Sequence, residues 1–312
     1  MKDVLLVGKG KASKLHTSCY EKSGYVINKY YADIDEGIEE VISKNNLDKS
    51  NLIIDIVTPK EVFLDIIDTC ERLELYDIII EKPFVVEDDF FLKHPKLNII
   101  MVQNYMYSSV TNYVKKYIED NNLIVKSIST NFSKNRISES LSGRGMVSKV
   151  TENYEIEVPH QVYICDYLLN NRSELLMLYQ LPMVSDGVRL EKHGYGFSIM
   201  KNKDVSIVHT CDLTSNTLHK DFGVLCEDGY AIMVKYSTYD KELQCLNNGK
   251  VEVYKDGEKI LEEAMFDDMM TYCLKDYYEV FNNGTYSDIY KSRILDFSKT
   301  MNEFKEFSSK YC

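Results

Sequence analysis

Asp3-Val4-Leu5-Leu6-Val7-Gly8-Lys9-Gly10-Lys11-Ala12-Ser13 opens the chain with a short apolar run that breaks at once into a glycine turn. From about Lys14 to Ser23 the pattern is helical, Gly24 stops it, and Tyr25 to Tyr31 reads as a second strand ending near Asp33. Strand, glycine turn, helix and strand make the first half of a nucleotide-binding βαβ unit. Gly8 permits the tight turn and Gly10 lets the backbone approach a pyrophosphate, whose charge the free N–H groups at the helix start would carry. Ser13 takes the third fingerprint position in place of Gly or Ala, a degraded match that still leaves room for helix to pack on strand. Lys11 completes the candidate cofactor turn.

Asp33 stands where an acidic side chain would bond the ribose hydroxyls of NAD and repel the extra phosphate of NADP. Asp35 competes for that role, and Asp33 equally suits a helix N-cap, because Ile34 to Ile38 begins another helix. Lys9 and Lys11 weaken the exclusion of NADP, so the expectation is NAD or NADP with NAD slightly favoured.

Working outward, Asn51 to Val57 is an apolar strand closed by Thr58-Pro59, and Val62 to Leu73 repeats apolar residues at helical spacing. Asp77-Ile78-Ile79-Ile80-Glu81-Lys82-Pro83-Phe84 is a further apolar run, stopped by Glu-Lys-Pro, and Leu97 to Val102 ends in Gln103-Asn104-Tyr105. Strands alternating with helices imply a doubly wound parallel sheet, an α/β Rossmann arrangement. Ligands bind at the C-terminal ends of such strands, which is where Thr58, Pro59, Glu81, Lys82 and Asn104 fall.

A chain of 312 residues suggests two domains, set at 1–120 for dinucleotide binding and 121–312 for substrate. The later part carries alternating strands such as Val205 to His209, Phe222 to Cys226 and Tyr230 to Val234. Turns at Glu227-Asp228-Gly229 and Lys255-Asp256-Gly257 mark hairpins, so a mostly antiparallel sheet is expected. The net charge of −12 argues against nucleic acid and anionic membrane partners, both of which need a basic footprint. Eight cysteines without Cys-x-x-Cys spacing fit reduced thiols rather than a disulfide framework or a metal site. No apolar run approaches membrane-spanning length and the N-terminus starts directly on a strand, so the expected location is cytoplasmic.

Taken in order, the Gly8–Ser13 turn with Lys14-Leu15-His16, Thr58-Pro59, Glu81-Lys82-Pro83 and Asn104 resemble the Gfo/Idh/MocA family of nicotinamide-dependent oxidoreductases over residues 3–110. The resemblance implies a C-terminal α+β domain built on a large open sheet, homo-oligomerisation through that sheet, and a carbohydrate-like alcohol or ketone as the small-molecule substrate. Val158-Pro159-His160-Gln161-Val162-Tyr163 resembles the family's catalytic helix, which carries a histidine just inside its start. Ile156 and Tyr163 replace two aspartates usual beside that histidine, and Phe63 replaces a histidine usual after Thr-Pro. Glu155 or Glu157 is left as the substitute acid.

On this reading Lys82 polarises the reacting oxygen, His160 exchanges the proton, and Tyr163 offers a phenolic donor. Arg136, Arg144 and Lys149 lie in a locally basic, glycine-containing segment suited to an anionic substrate, or to an ordinary surface loop. Two alternatives stay open: an imine or enamine reductase on the same scaffold, and a non-catalytic dinucleotide-binding sensor acting through a protein partner.

Overall fold

The computed structural model describes residues 1–32, 37–142, 151–240 and 245–311. The chain folds into two compact units, Met1–Asn104 with Met270–Lys299 and Tyr105–Met269 with Thr300–Cys312.

The first unit holds five strands, β1 (Asp3–Val7), β2 (Lys29–Ala32), β3 (Leu52–Ile56), β4 (Asp77–Ile80) and β5 (Asn98–Met101). They pair in parallel in the order β2-β1-β3-β4-β5. Helices α1 (Lys11–Lys22), α2 (Ile38–Asn45), α3 (Phe63–Arg72) and α4 (Phe90–Lys93) alternate with them. Both faces of a parallel sheet are covered, which explains why Leu52-Ile53-Ile54-Asp55-Ile56 and Ile78-Ile79-Ile80 are buried along their whole length. Asp55 is the one charged residue in that run, and it is fully buried. The register aligns Val7 with Ala32 and Ile56, and Ile80 with Ile56 and Met101, so the carboxyl ends of the strands share one edge. β2 is shorter than the sequence suggests. Its first half is diverted where Gly24 takes a positive φ and Tyr25 packs at a tilt against Tyr278 and donates to Glu279.

In the second unit lie β6 (Val125–Ser133), β7 (Glu174–Gln180), β8 (Met183–Ser185), β9 (Val188–Leu190), β10 (Tyr195–Asn202) and β11 (Val205–Asp212). β12 (His219–Cys226), β13 (Tyr230–Lys235), β14 (Tyr239–Asp240), β15 (Cys245–Leu246), β16 (Gly249–Lys255) and β17 (Glu258–Met265) follow. Eight of these form one sheet in the order β17-β16-β13-β12-β6-β11-β10-β7. Every pairing in it is antiparallel except β6 with β11. The expected hairpins join β12 to β13 and β16 to β17. Asp228-Gly229 and Asp256-Gly257 take positive φ in succession there, as a two-residue turn between twisted strands requires.

The helices after residue 105 are α5 (Ser109–Asp120), α6 (Ile137–Ser142), α7 (Asn153–Ile156), α8 (Val158–Leu169), α9 (Met269–Asn282) and α10 (Ile289–Tyr311). α8 buries Val158, Val162, Ile164, Cys165 and Leu168, and β6 buries Ile128, Thr130 and Phe132.

The boundary expected at residue 120 moves to Asn104, and the first unit takes back a stretch near the C-terminus. The reason is aromatic. Tyr277 donates to Met101 O at 3.2 Å, Tyr278 to Lys2 O at 2.9 Å and Tyr286 to Ile99 O at 3.2 Å, which fastens the returning chain to β1 and β5. Cys19, Cys70, Cys165, Cys211, Cys226 and Cys273 are buried and outside any disulfide. Burial pushes the Cys70 thiol up to about 12 and the Cys226 thiol up to about 11. Among the described residues no helix is long and apolar enough to cross a membrane, and no group of acids, histidines and cysteines is placed to hold a metal ion.

Candidate functional site

Two clusters of polar side chains stand out, one in each unit. In the first unit the chain leaves β1 through Gly8, whose φ of +121° lies where only glycine is unstrained. A Cβ there would meet Val57 O at 3.0 Å, so the turn also depends on close approach to the end of β3. Gly10 caps α1 without a side-chain acceptor, and the first turn holds no acidic residue, so the positive end of the helix suits an external anion. A Cβ at Gly10 would meet nothing within 4 Å, so the space in front of the helix is open. Ser13 is buried, as close packing of α1 requires, and Lys11 is exposed at the helix start. Thr58 Oγ1, at the end of β3, is buried without a hydrogen-bond partner among the described residues. Pro59 starts the short turn that follows, and Asn104 sits half-buried just past β5.

Lys82 follows β4 on the same edge and is only 8% exposed. Its backbone N–H donates to Glu81 Oε2 at 3.0 Å, and the Lys82–Pro83 peptide is cis. Behind them lies His16, fully buried on α1. Its Nδ1 is 2.8 Å from Asp55 Oδ2 and its Nε2 is 3.1 Å from Glu81 Oε1. Tyr20 donates to the same Asp55 oxygen at 2.9 Å. Burial by itself pulls the His16 pKa down, but the two carboxylates outweigh it and raise it to about 10, so the ring is an imidazolium donating to both. Burial pushes Glu81 up, while His16 and Lys82 more than reverse this and hold its carboxyl below the usual range. His16 thus ties the helix behind the glycine turn to the strand end that presents Lys82.

In the second unit Glu157 precedes α8 and is buried, and its carbonyl accepts from His160 N at 3.1 Å. Its carboxylate accepts from Arg136 Nη2 at 2.8 Å and from Lys220 Nζ. Lys220 lies 4.2 Å from the Phe132 ring centroid, and Glu157 holds its pKa above the ordinary value despite burial. His160 packs its ring edge-on to Tyr105, centroids 4.9 Å apart, and its Nδ1 is 2.6 Å from Tyr163 Oη. Tyr163 Oη also accepts from Tyr105 N at 3.4 Å.

The sequence candidates therefore distribute as follows. Gly8, Gly10, Lys11, Ser13, Thr58, Pro59, Glu81, Lys82 and Asn104 lie at or beside the carboxyl edge of the parallel sheet. His160 and Tyr163 bond each other one helical turn apart. Glu155 accepts from Glu152 N at 2.9 Å in a capping box, and Glu157 is ion-paired, while the His160 Nδ1 bond goes to a phenol. Arg136 is held between Glu139, at 2.6 Å, and Glu157. Asp33, Arg144 and Lys149 lie outside the described residues. Sequence reasoning missed the roles of His16, Asp55 and Lys220. The one available signal was a lone Asp inside an apolar strand, which demands a buried partner.

No protein-family model matches this chain, and none of the curated proteins matches it. Solved structures do. A putative NADPH-dependent oxidoreductase from Desulfitobacterium hafniense is 14% identical over 99% of this chain and 96% of its own, with a TM-score of 0.76. The 3-ketoreductase KijD10 from Actinomadura kijaniata, solved with TDP-benzene and NADP, is 9% identical over 97% of this chain and 96% of its own, TM-score 0.74. UDP-N-acetylglucosamine 3-dehydrogenase GnnA from Acidithiobacillus ferrooxidans is 11% identical over 98% of each chain, TM-score 0.66. At these identities the likeness is one of fold: a Rossmann-type parallel sheet joined to a large mixed sheet.

Proposed function

We propose that the chain is a nicotinamide-dependent oxidoreductase acting on a carbohydrate-like secondary alcohol or ketone. The observation that carries this is the buried Lys82 beside its Glu81–His16–Asp55 support, on the strand edge that also holds the Gly8–Gly10 turn. The uncapped N-terminus of α1, the open space at Gly10 and the orphaned Thr58 hydroxyl suit a dinucleotide. Gly8, Gly10, Lys11, Ser13, Thr58, Pro59, Glu81 and Asn104 would hold it. The bound nicotinamide supplies the hydride acceptor or donor. The similar structures named for NADPH or solved with NADP make NADP as good a candidate as NAD.

In the oxidative direction His160 would take the O–H proton of a carbinol whose C–H hydride the nicotinamide would accept. Lys82 stabilises the negative charge that develops on the oxygen. With His160 Nδ1 engaged by Tyr163, proton exchange falls to Nε2. Tyr163 becomes a positioning residue rather than a donor to substrate. Copies of the chain would associate through the outer face of the large sheet, where Tyr179, Val208, Leu225 and Met233 are exposed and in register on one side.

A panel of sugars, cyclitols and nucleotide sugars, followed by nicotinamide absorbance with NADH and NADPH, tests the reading. Lys82→Met is expected to lower turnover about 10²–10³-fold while dinucleotide affinity stays within about threefold. Unchanged turnover would sink the assignment. Dinucleotide binding without turnover on any member would favour the sensor.

A further inference from the structure

Among the described residues of the basic segment, Lys134 is left unmatched by the chemistry of the site. β6 and β12 run side by side, with Phe132 opposite Lys220 and Ser133 opposite His219. Lys134 continues β6 by one residue, its N–H bonded to Asp212 O at 2.9 Å, and Arg136 N donates to Leu213 O at 2.7 Å. Alternation puts Lys134 on the same side as Phe132 and Lys220, and Asp221 on the other. Asp221 is answered there by His219 at 3.4 Å.

Three cations, Lys134, Arg136 and Lys220, thus face two carboxylates, Glu139 and Glu157. The carboxylates are taken: Glu157 by Arg136 and Lys220, Glu139 by Arg136. Lys134 makes no ion pair among the described residues. It is half-buried, and burial, Arg136 and Lys220 push its pKa down by more than Glu157 and Glu139 raise it. A cation partly stripped of water among other cations is costly, and an anion delivered beside it relieves the cost. Glu157, which pairs with Arg136 and Lys220, also precedes the helix that carries His160.

We propose that Lys134 anchors an oxyanion, a phosphoryl or carboxylate group, on the carbohydrate substrate. The proposal rests on the oxidoreductase reading and names its substrate class: a sugar carrying a negative charge. Arg136, which the sequence singles out for that task together with Arg144 and Lys149, is instead ion-paired to Glu139 and Glu157. Lysine suits the anchoring role as a compact point charge.

Titration calorimetry of the full chain with D-glucose, D-glucuronate, glucose 6-phosphate and UDP tests it, using wild type, Lys134→Met and Lys134→Arg. At least one anion is expected to bind more tightly than glucose, to lose about tenfold in affinity in Lys134→Met, and to keep most of it in Lys134→Arg. Glucuronate alone responding identifies a carboxylate, and glucose 6-phosphate or UDP responding identifies a phosphoryl group. Anion binding that Lys134→Met leaves unchanged, or no preference over glucose, overturns the proposal. NADPH and NADH fluorescence titrations of the same samples separate the two layers. Dinucleotide binding without Lys134-dependent anion binding refutes the anchor alone, whereas loss of dinucleotide binding in wild type refutes the reading beneath it.

Discussion

The two units solve opposite electrostatic problems with mirror-image parts. In the first, a cation sits between two acids: His16 bridges Asp55 and Glu81. In the second, an acid sits between two cations: Glu157 bridges Arg136 and Lys220. Adding Lys82 balances the first cluster, whereas adding Glu139 and Lys134 leaves the second with one positive charge over. A balanced buried cluster fixes geometry and asks for nothing from outside. An unbalanced one fixes geometry and also prefers a particular visitor.

The comparison breaks most visibly at the central residues. Glu157→Gln strands two cations with little water to solvate them, and is expected to cost about 3–5 kcal/mol in denaturant titrations. Substituting His16→Gln leaves two carboxylates facing each other and is expected to cost about 3 kcal/mol, the low end of the same range. Its pH dependence sharpens the contrast. The folded pKa, about 10, lies above the unfolded 6.5, so the stabilisation is complete below 6.5 and fades as pH climbs through 10. Denaturant midpoints compared at pH 6, 8 and 10 should show the gap between wild type and variant narrowing.

Gly8→Ala changes no charge and so serves as the control. Its φ of +121° and the 3.0 Å approach to Val57 O predict a loss of about 1–3 kcal/mol, with weakened dinucleotide binding in fluorescence titration. The smallest stability effect belongs to Tyr163→Phe, about 1–2 kcal/mol for the two hydrogen bonds its hydroxyl makes to His160 and Tyr105. Turnover should fall further than that figure implies, because His160 loses the group that orients it.

Much of the parallel sheet was legible in the sequence, because each strand is an apolar run closed by Gly, Pro or a polar residue within a few positions. The hairpin turns were legible for the same local reason. What escaped is what depends on distant pairing. His16 reaches partners 39 and 65 residues away, and nothing near it in the chain announces an imidazolium. Lys220 joins Glu157 only because β12 lies against β6, and Lys134 becomes the unmatched cation only once Arg136 is seen to be engaged. The domain boundary was misplaced because three tyrosines near the C-terminus return to the first sheet through carbonyls that carry no sequence signature.

The buried cysteines turn this two-unit construction into something measurable. Cys19, Cys70 and Cys273 belong to the first unit, and Cys165, Cys211 and Cys226 to the second. A thiol reacts as the thiolate, so these buried side chains, with Cys70, Cys165, Cys211, Cys226 and Cys273 also raised in pKa by burial, stay silent until their surroundings open. Each unit therefore carries its own set of three internal clocks. The labelling rate of each thiol, read by mass spectrometry, times the opening of one fold independently of the other.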